Sequence, residues 1–163
     1  MLLGARPVDA PGALRKRLEA FAVVQAELER LRTGELRRRA GHLAGRARRA
    51  GRGQLIVQEV TGVTSDELRL LAAETLTSLG HTPAVVIFGA EHDGKALLAA
   101  ALSTDLHLRG VEAGRLLTDA ARMVGGGSGG HGPLASAGGR RPEELRRALD
   151  LAAREADRLL GED

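Results

Sequence analysis

At 163 residues the chain has material for one packed domain plus an extension, and its lack of cysteine excludes a disulfide framework and a thiolate metal site. Only Phe21 and Phe88 are aromatic, no apolar run reaches transmembrane length, and Met1-Leu2-Leu3-Gly4 is too short for a signal sequence, so a cytoplasmic protein with no membrane partner is expected. The formal charge of +3 conceals a split: residues 1–52 carry 13 basic and 5 acidic side chains, net +8, and residues 53–163 carry 11 and 16, net −5. Such a basic first third suits an arm that meets a polyanion.

Residues 1–11 contain Gly4, Pro7 and Pro11 and read as an irregular entry. From Ala13 the apolar positions Leu14, Leu18, Phe21, Val24, Leu28 and Leu31 recur at helical spacing, predicting a helix whose stripe is broad enough for a partner helix. Thr33-Gly34 predicts a kink or turn, and a second helix is expected over residues 35–50, with Leu36, Ala40, Leu43, Ala44 and Ala47 as its apolar positions. Two antiparallel helices packed on each other are the simplest arrangement of these segments. Arg37, Arg38, Arg39, Arg46, Arg48 and Arg49 surround the second helix, as a ridge for phosphate contact or as an ordinary solvated face.

After Gly51-Arg52-Gly53 the pattern becomes α/β. Residues 54–60 predict a strand by their β-branched content, and Thr64-Ser65-Asp66-Glu67 predicts a capping box that opens a helix to about Leu79, stopped by Gly80. Residues 83–88 are continuously apolar, as in a central strand covered on both faces, and the strand-helix-strand unit implies a right-handed crossover and a parallel pair. Glu91-His92-Asp93-Gly94 signals a hairpin, which favours a strand over residues 95–102 against their helical composition. An amphipathic helix follows over residues 111–124, and Pro142 with Glu143-Glu144 opens a last helix to about Leu160. The fold class is therefore α/β: an N-terminal helical hairpin or coiled-coil stem over residues 1–52, then a mixed β-sheet domain with packed helices and a glycine-rich loop over residues 53–163.

That loop, Gly125-Gly126-Gly127-Ser128-Gly129-Gly130-His131-Gly132-Pro133, leads into Leu134-Ala135-Ser136-Ala137-Gly138-Gly139. Glycines reach positive φ freely and let a phosphate or another backbone approach closely, so the run suits anion or nucleic-acid contact. Composition alone also fits a flexible linker, but the second half reads as a short strand closed by a turn. Gly125, Gly127 and Gly130 satisfy a dinucleotide-type spacing only by glycine density, because a helix precedes them where a strand is required, and no Gly-Lys-Ser/Thr follows. His42, His81, His92, His107 and His131 form no metal-ligand pair; His131 alone is singled out, by its place in the loop. Ser128 and Ser136 would need a base beside them to act as nucleophiles. No catalytic residue, metal ligand or cofactor is assigned.

The glycine run resembles the Gly-Gly-x-Gly-Gly-Gly-x-Pro-x-x-Ala-x-Ala-Gly-Gly signature of the DHH-associated domain family, in the form found at the C-terminus of alanyl-tRNA synthetases, the C-Ala domain. Leu102-Ser103-Thr104-Asp105-Leu106 and Gly110-Val111-Glu112-Ala113-Gly114-Arg115-Leu116-Leu117 are similar to the segment that leads into it. The matching positions are Gly125, Gly126, Gly127, Gly129, Gly130, Ala135, Ala137, Gly138 and Gly139, with Pro133 one place later than usual. The resemblance implies a non-catalytic module that binds tRNA at the elbow, alanine tRNA being the cognate species, and a helical stem through which subunits associate as a homodimer. It supports the strand over residues 95–102. No aminoacylation, editing or phosphoesterase core has a counterpart in the chain. Phosphate contacts are expected from Lys95, Arg109, Arg140 and Arg141 together with the arginine ridge, around the loop glycines and His131. A dimerisation scaffold without specific RNA binding, and an oligonucleotide-binding domain of the DHH phosphoesterase type, are the competing functions. Met1 favours a free-standing chain over a fragment of an alanine-tRNA ligase.

Overall fold

Asp9–Ala44 form one continuous helix, α1, in the computed structural model, which describes residues 9–162. The expected helical hairpin is thereby corrected: Thr33 and Gly34 lie inside the helix. A helical glycine costs only about 1 kcal/mol against alanine, and the surrounding Leu, Arg and Glu residues are strong helix formers that offset it. The irregular entry expected over residues 1–11 lies outside the described residues up to residue 8, and residues 9–11 are already helical.

The chain divides into two compact units between Glu35 and Leu36. In the first, residues 10–31 are exposed throughout. Leu14, Leu18, Phe21, Val23, Val24, Leu28 and Leu31 retain 56–69% of their surface, an unusual apolar stripe for a helix in water. The helix is laced by an Arg30–Glu27 ion pair at 2.6 Å, fully exposed and therefore of small energetic weight.

The second unit is a six-stranded mixed sheet with helices on both faces. α1 stops at Ala44, and Arg48–Ala50 form a strand, β1, where helix was expected to continue. Pairing with β2, Gly53–Glu59, overrides the local helical propensity: Arg48 lies opposite Leu55 and Ala50 opposite Gly53. Gly51 in the connecting turn has φ +53, and a side chain there would collide with the Leu160 carbonyl.

Thr64 caps α2, Ser65–Ser78, with the reciprocal capping box in place: its Oγ1 accepts from the Glu67 N–H at 3.3 Å and its own N–H donates to Glu67 Oε2 at 2.9 Å. β3, Ala84–His92, runs parallel to β2 and is buried from Ala84 to Ala90, as expected of a central strand. Asp93 and Gly94 both have positive φ, the geometry that turns β3 tightly into antiparallel β4, Lys95–Leu102. A short helix α3, Thr104–Leu108, precedes α4, Ala113–Met123. β5, Gly126–Gly129, and β6, Leu134–Gly139, follow, then a 3-10 turn at Pro142–Glu144 and the last helix, α5, Leu145–Gly161.

The strand order is β1-β2-β3-β4-β6-β5. One face carries Leu55, Val85, Ile87, Leu98 and Leu102 under α4 and α5, and the other carries Ile56, Val86, Phe88 and Ala99 under α2 and the buried residues Leu36, Ala40 and Leu43. Gly89 in β3 permits the close seat of α5: a Cβ there would lie 2.9 Å from Leu145 Cδ1. No helix among the described residues is long and apolar enough to cross a membrane.

Candidate nucleic-acid interface

Four of the nine residues of the expected glycine loop, residues 125–133, are strand. Gly126–Gly129 form the edge strand β5, paired antiparallel to β6 with Gly127 opposite Gly138 and Gly129 opposite Ser136. Gly125 lies in the turn that ends α4, residues 130–133 connect the two strands, and the expected short strand over Leu134–Gly139 is present as β6. Two constraints hold the turn: the Ala113 N–H donates to the Gly132 carbonyl at 3.0 Å, and Leu102 N–H donates to Pro133 at 2.7 Å.

Most of these glycines are required by the fold itself. Gly125, Gly130 and Gly132 have φ of +76, +112 and +84, where a side chain is strained. A Cβ on Gly126 would collide with the Gly138 carbonyl, and one on Gly139 with the Val124 carbonyl. Gly127 and Gly129 are different: their φ is ordinary and nothing lies within 4 Å of an added Cβ. They share one face of an exposed edge strand, with Gly138 and Ser136 beside them. Neither packing nor backbone conformation explains glycine at these two positions. The result is bare backbone open to close approach from outside.

Cations gather at one end of this surface. Ala96 pairs with Gly139, so the next positions outward, Lys95 and Arg140, flank the same end of the β4/β6 ladder, and both are exposed. The Arg141 guanidinium lies against Gly125, whose added Cβ would fall 2.8 Å from its Nε. His131 is exposed at the turn, and Arg109 is exposed at the end of α3. His107, which its sequence context left among the scattered histidines, is half-buried with Nδ1 3.2 Å from the Val111 carbonyl, and its ring faces Gly132. No sequence signal marked it, because its neighbour across the turn is distant in the chain.

The six arginines of the expected ridge fall on three elements. Arg37, Arg38 and Arg39 are on α1, Arg46 is in the following turn, and Arg48 and Arg49 are in β1. Arg37 pairs with Glu74 at 3.2 Å, Arg39 donates to the Thr61 carbonyl at 2.8 Å, and Arg48 pairs with Asp157 at 2.6 Å, which raises the Arg48 pKa. Arg38, Arg46 and Arg49 are the members without such bonds among the described residues. β1 and β5 are the two edges of the sheet. Five strand spacings separate them, roughly 24 Å at about 4.8 Å each. The ridge and the glycine strand thus form two surfaces, not one.

Neither Ser128 nor Ser136 hydrogen-bonds a histidine or a carboxylate among the described residues. No three His, Asp or Glu side chains among them gather in a group that could hold a metal ion.

The DHHA1 domain family matches this chain over residues 52–157. The alanine–tRNA ligase of Chloroflexus aurantiacus is 34% identical over 154 residues, 92% of this chain and 17% of the ligase. That of Trichodesmium erythraeum is 39% identical over 129 residues, 78% of this chain and 14% of the ligase. The chain therefore spans only a small fraction of these relatives. Among solved structures, the C-Ala domain of Aquifex aeolicus alanyl-tRNA synthetase superposes with a TM-score of 0.59 at 23% identity, covering 71% of this chain and 98% of that domain. The chain belongs to the DHHA1 domain family, with the fold of a C-Ala domain.

Proposed function

We propose that the chain is a non-catalytic, cytoplasmic tRNA-binding module with alanine tRNA as its cognate ligand, and that β5, Lys95, Arg140 and Arg141 form its RNA-contact surface. The observation that carries this reading is the pair Gly127 and Gly129, glycines that the fold does not require, on an exposed edge beside three cations. A sugar-phosphate backbone can lie directly on such a strand, accept from its outward N–H groups, and be neutralised at the cationic end. Family membership and the alanine–tRNA ligase relatives support tRNA as the ligand.

A second role is favoured by a separate observation, the seven exposed apolar residues between Leu14 and Leu31. We assign them to pairing of two copies through α1. The pairing and the RNA surface use different residues, so a scaffold without RNA binding is the alternative that a binding assay distinguishes.

The test is a filter-binding titration with alanine tRNA and a non-cognate tRNA, at low and at physiological salt. Preferential binding of alanine tRNA that persists at physiological salt is expected. Weak binding of both that vanishes with salt would reduce the arginines to a polyanion surface and favour the scaffold.

A further inference from the structure

β1 covers only the start of the outer edge of β2. Its three residues reach from Gly53 to Leu55, whereas β3 pairs with β2 as far as Glu59. Beyond Leu55 no strand pairs with the outer edge of β2 among the described residues. The Gln54 N–H donates to Pro83 and the Val60 N–H to Gly89, both on the β3 side. Backbone groups alternate along a strand, so Val57 and Glu59 turn their N–H and C=O groups to the open side.

A cavity of about 400 Å³ lies there and touches Leu55, Ile56, Val57, Gln58 and Glu59 in succession. Successive side chains point to opposite faces of a sheet, so a cavity that meets five consecutive residues runs along the strand edge, not over one face. Leu149 and Asp150 of α5 form its wall, and Arg46, Arg48 and Arg146 border it from three separate elements. Arg48 is held by Asp157, but Arg46 and Arg146 are exposed and have no carboxylate partner among the described residues.

We propose that this edge accepts an extended peptide of a partner protein as an added strand, with carboxylate side chains that meet Arg46 and Arg146. The edge offers donors and acceptors together, which a peptide backbone matches and a phosphodiester, having no donor, matches only in half. The open stretch is four residues, about 14 Å, the length of a short added strand. Gln58 Nε2 donates to the Glu59 carbonyl at 3.2 Å, a bond that a peptide amide would replace. Glu59 and Asp150 also border the cavity, so the fit is to a peptide with one or two well-placed carboxylates on a β-branched background, not to a uniformly acidic one. The site lies at the opposite edge of the sheet from β5 and stands independently of RNA binding.

Fluorescence polarisation on the full chain tests the proposal with three labelled heptapeptides: a Val/Glu peptide with two carboxylates (Thr-Val-Glu-Val-Glu-Val-Thr), the same peptide with Lys at both Glu positions, and the Val/Glu peptide with alternate amides N-methylated. The Val/Glu peptide is expected to bind at least roughly tenfold more tightly than either of the others. The double variant Arg46→Ala/Arg146→Ala, with unchanged circular dichroism, is expected to lose that preference. Equal binding of the three peptides, or no saturable binding of the Val/Glu peptide, overturns the proposal. So does protection of the Val57 and Glu59 amides from hydrogen exchange that grows with protein concentration or with added tRNA and that the Val/Glu peptide does not compete for, since the edge would then belong to a second copy or to RNA.

Discussion

Gly139→Val is expected to destabilise the fold by about 3 kcal/mol or more, while Gly127→Val, on the adjacent strand, leaves stability unchanged or raises it by up to about 1 kcal/mol. At Gly139 the new Cβ would overlap the Val124 carbonyl, a backbone atom that no rotamer change can move. β6 lies between β4 and β5, so a shift there disturbs both ladders. At Gly127 the side chain enters open space, and a β-branched residue suits an extended strand better than glycine does. Urea unfolding of the two variants, followed by circular dichroism, checks the contrast. Similar midpoints would contradict the assignment of one glycine to packing and the other to ligand approach.

The second large effect concerns α1. The chain is expected to run as a dimer, about twice its 17.1 kDa, and the variant Leu18→Glu/Leu28→Glu as a monomer of native circular dichroism. Burying a leucine contributes about 1.5–3 kcal/mol, so the two substitutions remove at least about 3 kcal/mol from association, roughly a hundredfold. Both positions are about 60–65% exposed in the single chain, so the monomer loses no core packing. Charge favours an antiparallel arrangement, in which Arg15, Lys16 and Arg17 of one copy approach Glu27 and Glu29 of the other. Light scattering reads the mass directly; a wild-type monomer at high concentration would discard the pairing.

The middle of the chain was legible because each element there carries its own signal. The capping box at Thr64, the apolar run of β3 and the Asp93-Gly94 turn each act within a few residues, and all three appear in place. β1 was not legible: Arg48-Arg49-Ala50 has helical composition, and only the pairing with Gly53–Leu55 makes it a strand. β5 was hidden for a related reason. A strand of three glycines and a serine presents no side-chain periodicity, and its extended form is imposed by the register with β6.

The candidate surface was legible in residue type but not in arrangement. Clustering of arginines in residues 37–49 suggested a ridge around one helix, but Arg48 and Arg49 fall in β1, and strand order sets β1 and β5 at opposite edges, a property of topology that no local pattern encodes. Glycine density marked the stretch that forms β5 and its turn into β6. Separating Gly126 and Gly139, which the backbone crowds, from Gly127 and Gly129, which it does not, required the neighbours in space.

Because Gly127 and Gly129 tolerate a side chain, they allow the RNA surface to be tested without disturbing the fold. The decisive measurement is the affinity for alanine tRNA of the double variant Gly127→Val/Gly129→Val beside the wild type, at physiological salt, with the unfolding midpoint of each recorded. A loss of roughly tenfold or more at undiminished stability is the predicted result. Equal affinity in the two proteins would contradict the placement of RNA on β5.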